Sequence, residues 1–123
     1  MTVLLVDDSK IIRMLLRNVL TKHFGTDTVF LEAENGEEAI EQMKKNSVNL
    51  IMLDWNMPVM TGDRVVEIVR ANPAYNSTRI IMATTEGSKS KVLEMIKKGV
   101  NGYLVKPFQE PHIIRAVENL RMR

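Results

Sequence analysis

The sequence predicts an α/β protein: a five-stranded parallel sheet with helices on both faces. Short apolar runs closed by charged or turn residues recur at Val3–Val6, Val29–Leu31, Leu50–Leu53, Arg79–Ala83 and Gly102–Val105. Between them, apolar residues fall at the three-and-four spacing of a helix. Strands alternating with helices build parallel sheets, because each crossover lays a helix across a face. The 123 residues suit one domain, expected to span residues 1–123, with a core that needs no covalent staple.

Taken in order, Val3-Leu4-Leu5-Val6 is closed by Asp7-Asp8-Ser9, where Ser9 is a natural N-cap. Ile12, Leu15, Leu16, Val19 and Leu20 then share one helical face that ends near Phe24-Gly25. Val29 to Leu31 reads as a strand leading into a turn at Glu34-Asn35-Gly36. Ala39, Ile40 and Met43 mark the inner face of a second helix, with Glu37, Glu38, Glu41, Lys44 and Lys45 outside. Leu50 to Leu53, apolar throughout, reads as a strand buried on both faces, and it ends abruptly at Asp54. Val65, Val66, Ile68 and Val69 form a third helix that stops around Asn72-Pro73. After the strand Arg79–Ala83, Val92, Leu93, Met95 and Ile96 recur as a helix ending at Gly99. Gly102 to Val105 is the last strand, followed by Lys106-Pro107-Phe108 and a helix carrying Ile113, Ile114, Val117 and Leu120. Pro111 is tolerable in the first turn of that helix, and Gln109 is a mediocre cap for it.

The net charge of +2 is too mild to argue for nucleic acid. With no cysteine, disulfides and thiolate metal sites are excluded. No apolar run approaches the roughly 18 residues of a membrane helix, and Met1-Thr2-Val3 lacks the basic flank of a secretion signal. A cytoplasmic location, away from membranes, is the expectation.

An aspartate at the end of a buried strand usually caps a turn. Here it has company. Asp7-Asp8, Asp54, Thr84-Thr85 and Lys106 all follow strands, so in an open parallel sheet they share the carboxyl edge, where ligands bind. Three carboxylates in one crevice resist ionisation unless a cation relieves them. Mg²⁺ suits a site with few protein oxygens, and Lys106 offers a fixed charge. The Lys106-Pro107 bond is a candidate for the cis form. A divalent cation, an ammonium and a hydroxyl from Thr84 or Thr85 around one carboxylate would stabilise a transferring phosphoryl group. Asp54 is the better nucleophile candidate, being central while Asp7 and Asp8 are paired for metal. His23 and His112 lie away from this edge, which argues against zinc, and both are expected at the surface or in packing.

Asp7-Asp8, the run Asp54-Trp55-Asn56-Met57-Pro58 with Gly62 following, Thr84, and Lys106-Pro107-Phe108 together resemble the receiver domain of two-component response regulators. The resemblance spans the chain, and Trp55-Asn56 with Gly102-Tyr103 is most similar to the stand-alone chemotaxis receivers. It implies a flavodoxin-like (βα)5 fold with strand order 2-1-3-4-5. It implies that Asp54 accepts a phosphoryl group from a sensor histidine kinase. Asp8 and Asp54 would hold Mg²⁺ by side chain, Asn56 by its main-chain carbonyl, and Asp7 through water. Lys106 would pair with the phosphoryl oxygens, and Thr84 would turn inward to them while Tyr103 moves from exposed to buried. Asn56 and Glu86 stand where relatives tune hydrolysis of the acyl phosphate. Thr85 is bulkier than is usual in the family, so restricted access is expected there.

The chain reaches Arg123 without anything that resembles a DNA-binding or catalytic output domain. Output is therefore expected through the receiver's own surface, at Lys89, Lys91, Val92 and Tyr103. The implied partner there is a flagellar motor switch protein or another output protein, with a phosphatase as a further possible partner and the receiver itself monomeric. Three alternatives keep a receiver: a phosphorelay intermediate, a phosphate sink, or a piece of a longer DNA-binding regulator. Two come from other classes. A flavodoxin-like electron carrier would need a hydroxyl- and Gly-rich loop where Asp7-Asp8 stands. An aspartate-nucleophile phosphatase would turn over phosphate esters, whereas a receiver is no enzyme beyond its own phosphorylation and dephosphorylation.

Overall fold

The computed structural model describes residues 1–122, and Arg123 lies outside them. The elements are β1 (Thr2–Val6), α1 (Lys10–Phe24), β2 (Val29–Ala33), α2 (Gly36–Lys45), β3 (Leu50–Asp54), α3 (Gly62–Ala71), β4 (Arg79–Thr84), α4 (Lys89–Lys97), β5 (Gly102–Val105) and α5 (Glu110–Asn119). A short 3-10 turn at Pro73–Tyr75 joins α3 to β4. The five strands form one sheet, parallel throughout, in the order β2-β1-β3-β4-β5.

Alternation along the strands divides the core in two. Val3, Leu5, Leu50, Met52, Ile81, Ala83 and Leu104 pack with Leu16, Val19 and Leu20 of α1 and Ile113 and Val117 of α5. Leu4, Val6, Ile51, Leu53, Ile80 and Met82 face the other way, onto Ala39 and Met43 of α2, Val65, Val66 and Val69 of α3, and Met95 of α4. β3 lies at the centre and is buried along its whole length. No helix among the described residues is long and apolar enough to cross a membrane.

Local chemistry sets the element ends. Ser9 Oγ accepts the Ile12 N–H at 3.3 Å, and Ser88 Oγ accepts that of Lys91 at 3.3 Å. Asn35-Gly36 is a helix start rather than a free turn. Asn35 Oδ1 accepts the Glu38 N–H at 2.9 Å, while Glu38 Oε1 accepts that of Glu34 at 2.9 Å. β2 runs two residues beyond Leu31, to Ala33, because a sheet-edge strand can carry a charged residue such as Glu32. Gln109 makes no side-chain cap bond, and His112 Nδ1 instead accepts the Gln109 N–H at 2.9 Å.

The loop after β3 carries strain. Val59, 72 % exposed, holds φ at 69°, a region β-branched side chains avoid and asparagine tolerates. Val59→Asn is therefore expected to stabilise the fold by about 1 kcal/mol. A thermal melt would show a rise in Tm of roughly 4 °C, and an unchanged or lower Tm would contradict the strain.

Candidate functional site

The same alternation that sorts the core aims the charged side chains. Asp7 is in phase with Val3 and Leu5, Asp54 with Leu50 and Met52, and Lys106 with Leu104. All three therefore leave the sheet toward α1 and α5. The Lys106 ammonium lies 3.2 Å from Asp7 Oδ2 and 3.2 Å from Asp54 Oδ1. Asp7 and Asp54 are only 2 % and 3 % exposed. Asp8, on the loop after β1, is exposed, and one oxygen from each of Asp7, Asp8 and Asp54 lies within 4.8 Å of the others.

Backbone contacts fix this edge. Trp55 N–H donates to the Ala83 carbonyl at 2.8 Å, and Lys106 N–H to that of Thr84 at 2.7 Å. Asp54 Oδ1 accepts the Asn56 N–H at 3.2 Å, and Asp7 Oδ1 accepts that of Ser9 at 2.8 Å. α3 starts directly against the strand exit. A Cβ at Gly62 would stand 2.7 Å from the Asp54 carbonyl oxygen and 2.8 Å from Trp55 Cα, so only glycine allows the approach. The Lys106-Pro107 peptide is cis, as the sequence suggested.

Burial, and then Asp7, pushes the Asp54 carboxyl above its ordinary range against the pull of Lys106. For Lys106, burial works against the charge, but Asp7 and Asp54 outweigh it and hold the ammonium above its usual value. With all three carboxylates ionised, one ammonium leaves a charge of −2 (three negative, one positive). Hard oxygen donors with that residual charge fit a divalent cation such as Mg²⁺. Nitrogen and sulfur ligands are absent from the cluster. His23 and His112 are exposed elsewhere.

Thr84 is buried beside the site, but its strand phase differs from that of Asp54, and its hydroxyl accepts the Glu86 N–H at 3.1 Å. Tyr103 is 45 % exposed, on the α4 side of β5 with Val105. Asn56 and Glu86 occupy exposed positions on the loops after β3 and β4. Thr85 lines a separate pocket with Ile12, Leu15, Lys106, Pro107 and Phe108, which meets the site only at Lys106. The residues of the expected output face differ in exposure. Lys89 is exposed, but Lys91 places its ammonium 5.7 Å from the Trp55 ring centroid and Val92 is half-buried. The exposed apolar residues there are Leu93, Ile96, Tyr103 and Val105.

Residues 3–118 match the family model described as the response regulator receiver domain. The chain belongs to that family. A chemotaxis protein CheY homolog of Campylobacter jejuni is 47 % identical over 116 residues, 94 % of this chain and 87 % of the relative. Chemotaxis protein CheY1 of Helicobacter pylori is 43 % identical over 116 residues, 94 % of this receiver and 91 % of its own length. The solved structure of chemotaxis response regulator CheY4 of Vibrio cholerae superposes with a TM-score of 0.87 at 36 % identity, covering 97 % of each chain. The receiver is thus a signalling protein of CheY type with an acidic cluster able to bind metal.

Sequence reasoning missed Arg13. It is only 7 % exposed, and it donates to the Asp7 carbonyl oxygen from Nη1 at 2.6 Å and to Glu32 Oε1 from Nε at 2.7 Å. An arginine between Ile12 and the Leu15-Leu16 pair gives no apolar signal, and of its two partners one is a main-chain carbonyl and the other lies 19 residues on.

Proposed function

We propose that this protein is a single-domain response regulator, spanning residues 1–123, that accepts a phosphoryl group on Asp54 in chemotaxis signalling. The placement of Lys106 between Asp7 and Asp54 supports this most directly. The donor is the phosphohistidine of a sensor kinase. An Asp54 carboxylate oxygen forms the new P–O bond as the P–N bond breaks, and the freed imidazole nitrogen takes a proton from solvent. Asp8, Asp54 and the Asn56 main-chain carbonyl would hold Mg²⁺, with Asp7 reaching it through water. Bound there, Mg²⁺ neutralises charge on the transferring oxygens. Lys106 pairs with those oxygens, its ammonium already beside the nucleophile.

The phosphoryl group adds about 1.5–2 negative charges. Thr84 then exchanges the Glu86 N–H for a phosphoryl oxygen, and Tyr103 moves inward from its exposed position. Asn56 and Glu86, on the loops after β3 and β4, set the access of hydrolytic water. The face formed by α4, β5 and α5 thereby presents a second surface to an output partner, such as a flagellar motor switch protein. Lys89, Lys91, Val92 and Tyr103 contribute to it alongside Leu93 and Ile96. The chemotaxis assignment rests on the names of the relatives.

Intact mass after incubation with a small phosphodonor tests the reading. One Mg²⁺-dependent, hydroxylamine-sensitive phosphoryl adduct is expected, absent from Asp54→Asn. An equal adduct in the variant would overturn the acceptor. Turnover of phosphate esters without an adduct would favour a phosphatase.

A further inference from the structure

Asp8 supplies the exposed oxygen of the acidic cluster, and its carboxylate has no hydrogen-bond partner among the described residues. No partner holds the side chain, so the main chain alone fixes where its Cβ stands. That backbone lies just past β1, where the ladder to β2 has ended. Asp7 N–H still donates to the Ala33 carbonyl at 3.1 Å. The Asp7 carbonyl would need the next partner along β2, but the chain there turns into the α2 cap at Asn35. Arg13 Nη1 takes that place at 2.6 Å. The guanidinium is tied in turn to the sheet edge, through Nε to Glu32 Oε1 at 2.7 Å, while Arg17 holds Glu32 Oε2 at 2.9 Å. Asp7 is thus gripped at its N–H, its carbonyl and both carboxylate oxygens, and the Asp7–Asp8 peptide plane is fixed.

We infer that Arg13, braced by Glu32, is a positioning residue that sets the Asp7–Asp8 peptide plane and so aims Asp8 for divalent-cation binding. The inference rests on the reading of Asp7, Asp8 and Asp54 as a cation site. Charge and position make opposite demands on it. The guanidinium stands 2.6 Å from the Asp7 carbonyl oxygen, beside the cluster, and its charge repels Mg²⁺, so losing that charge alone would tighten binding. Losing the brace would weaken it, because groups that hydrogen-bond and orient metal ligands are typically worth about 10–100-fold in affinity. Lysine preserves the charge but lacks the planar fork that spans the Asp7 carbonyl and Glu32 at once.

Mg²⁺ titrations of the full chain, followed by calorimetry and Trp55 emission, test this with wild type, Arg13→Gln, Arg13→Lys and Glu32→Gln. Each protein is first shown to be folded by circular dichroism. About tenfold weaker Mg²⁺ binding is expected for both Arg13 variants, with a smaller loss for Glu32→Gln, whose amide oxygen still accepts from Nε. Unchanged or tighter binding in Arg13→Gln would overturn the inference, as would full affinity in Arg13→Lys. If Arg13→Gln does not fold, Arg13→Lys decides: wild-type affinity overturns the inference, and weakening upholds it. Absence of Mg²⁺ binding by wild type would instead defeat the cation-site reading and the inference with it.

Discussion

Asp54→Asn is expected to melt at a higher temperature than the wild-type protein in the absence of divalent cations. Asp54 is buried at 3 % exposure and faces Asp7, while a single ammonium is shared between them. Burial and that like charge raise its carboxyl above the ordinary range, so ionising it costs the folded state more than the unfolded one. The amide has the same shape and no charge. The expected gain at neutral pH is about 1–3 kcal/mol, the size of the penalty for burying a polar group without full compensation. In Tm this is a rise of roughly 4–12 °C. The pH dependence follows from the direction of the shift. Below the unfolded value of 3.8 the carboxyl is protonated in both states and the variant has no advantage. As pH rises from there through the raised folded value, wild type loses stability and the gap opens. Mg²⁺ should then narrow it by binding the native wild-type cluster, worth about 2.7 kcal/mol at a hundredfold excess over Kd. A variant less stable than wild type at neutral pH would mean that pairing with Lys106 outweighs burial. A gap that persists at acid pH would mean the gain is not electrostatic.

The residues that define this crevice were legible because their signal is positional. Apolar runs locate the strands, and a charge directly after a run lands on the carboxyl edge whatever the loop does next. Asp7, Asp54 and Lys106 are also in phase with inward-facing neighbours, which a two-residue count along each run would have shown. Asn35-Gly36 misled because one dipeptide serves both turns and helix caps. Glu38, three residues after Asn35, was the discriminating sign of a capping pair. On α4, periodicity counted Leu93 and Ile96 with Met95, yet only Met95 is buried. A stripe of apolar residues cannot say which of them meets a sheet that ends at an edge strand. Arg13 and Arg70 were the least visible. Both are tied to main-chain carbonyls, which carry no residue-type signature.

Arg70 is the second residue whose loss should be costly, and it sits at the edge of the sheet opposite the acidic crevice. Its guanidinium donates from Nε to the Gly99 carbonyl at 2.9 Å and from Nη1 to that of Tyr75 at 3.2 Å. Nη2 donates to the Thr78 carbonyl at 2.8 Å and to Asn101 Oδ1 at 2.9 Å. One side chain at the end of α3 therefore fastens the segment entering β4 and the segment entering β5. Asn101 Oδ1 also accepts the Ile80 N–H at 2.9 Å, so the anchor continues into the ladder. Burial, and then Arg79, lowers the Arg70 pKa, the cost of placing a cation there. Truncation would leave several acceptors partly shielded from water, and Gly99, at φ 108°, would lose the alkyl stem packed against it. Arg70→Ala is expected to destabilise by about 3 kcal/mol, given 1–3 kcal/mol for each buried group left unpaired and partial rescue by water. That is a fall in Tm of roughly 12 °C. Arg70→Lys should recover less than half of the loss, since one ammonium cannot reach four acceptors on separate segments. Mg²⁺ affinity of the folded fraction should stay unchanged in both, because the crevice lies beyond the opposite ends of the same strands. Full rescue by lysine would reduce Arg70 to a point charge, and a loss of Mg²⁺ affinity would show that the two edges are coupled through β4 and β5.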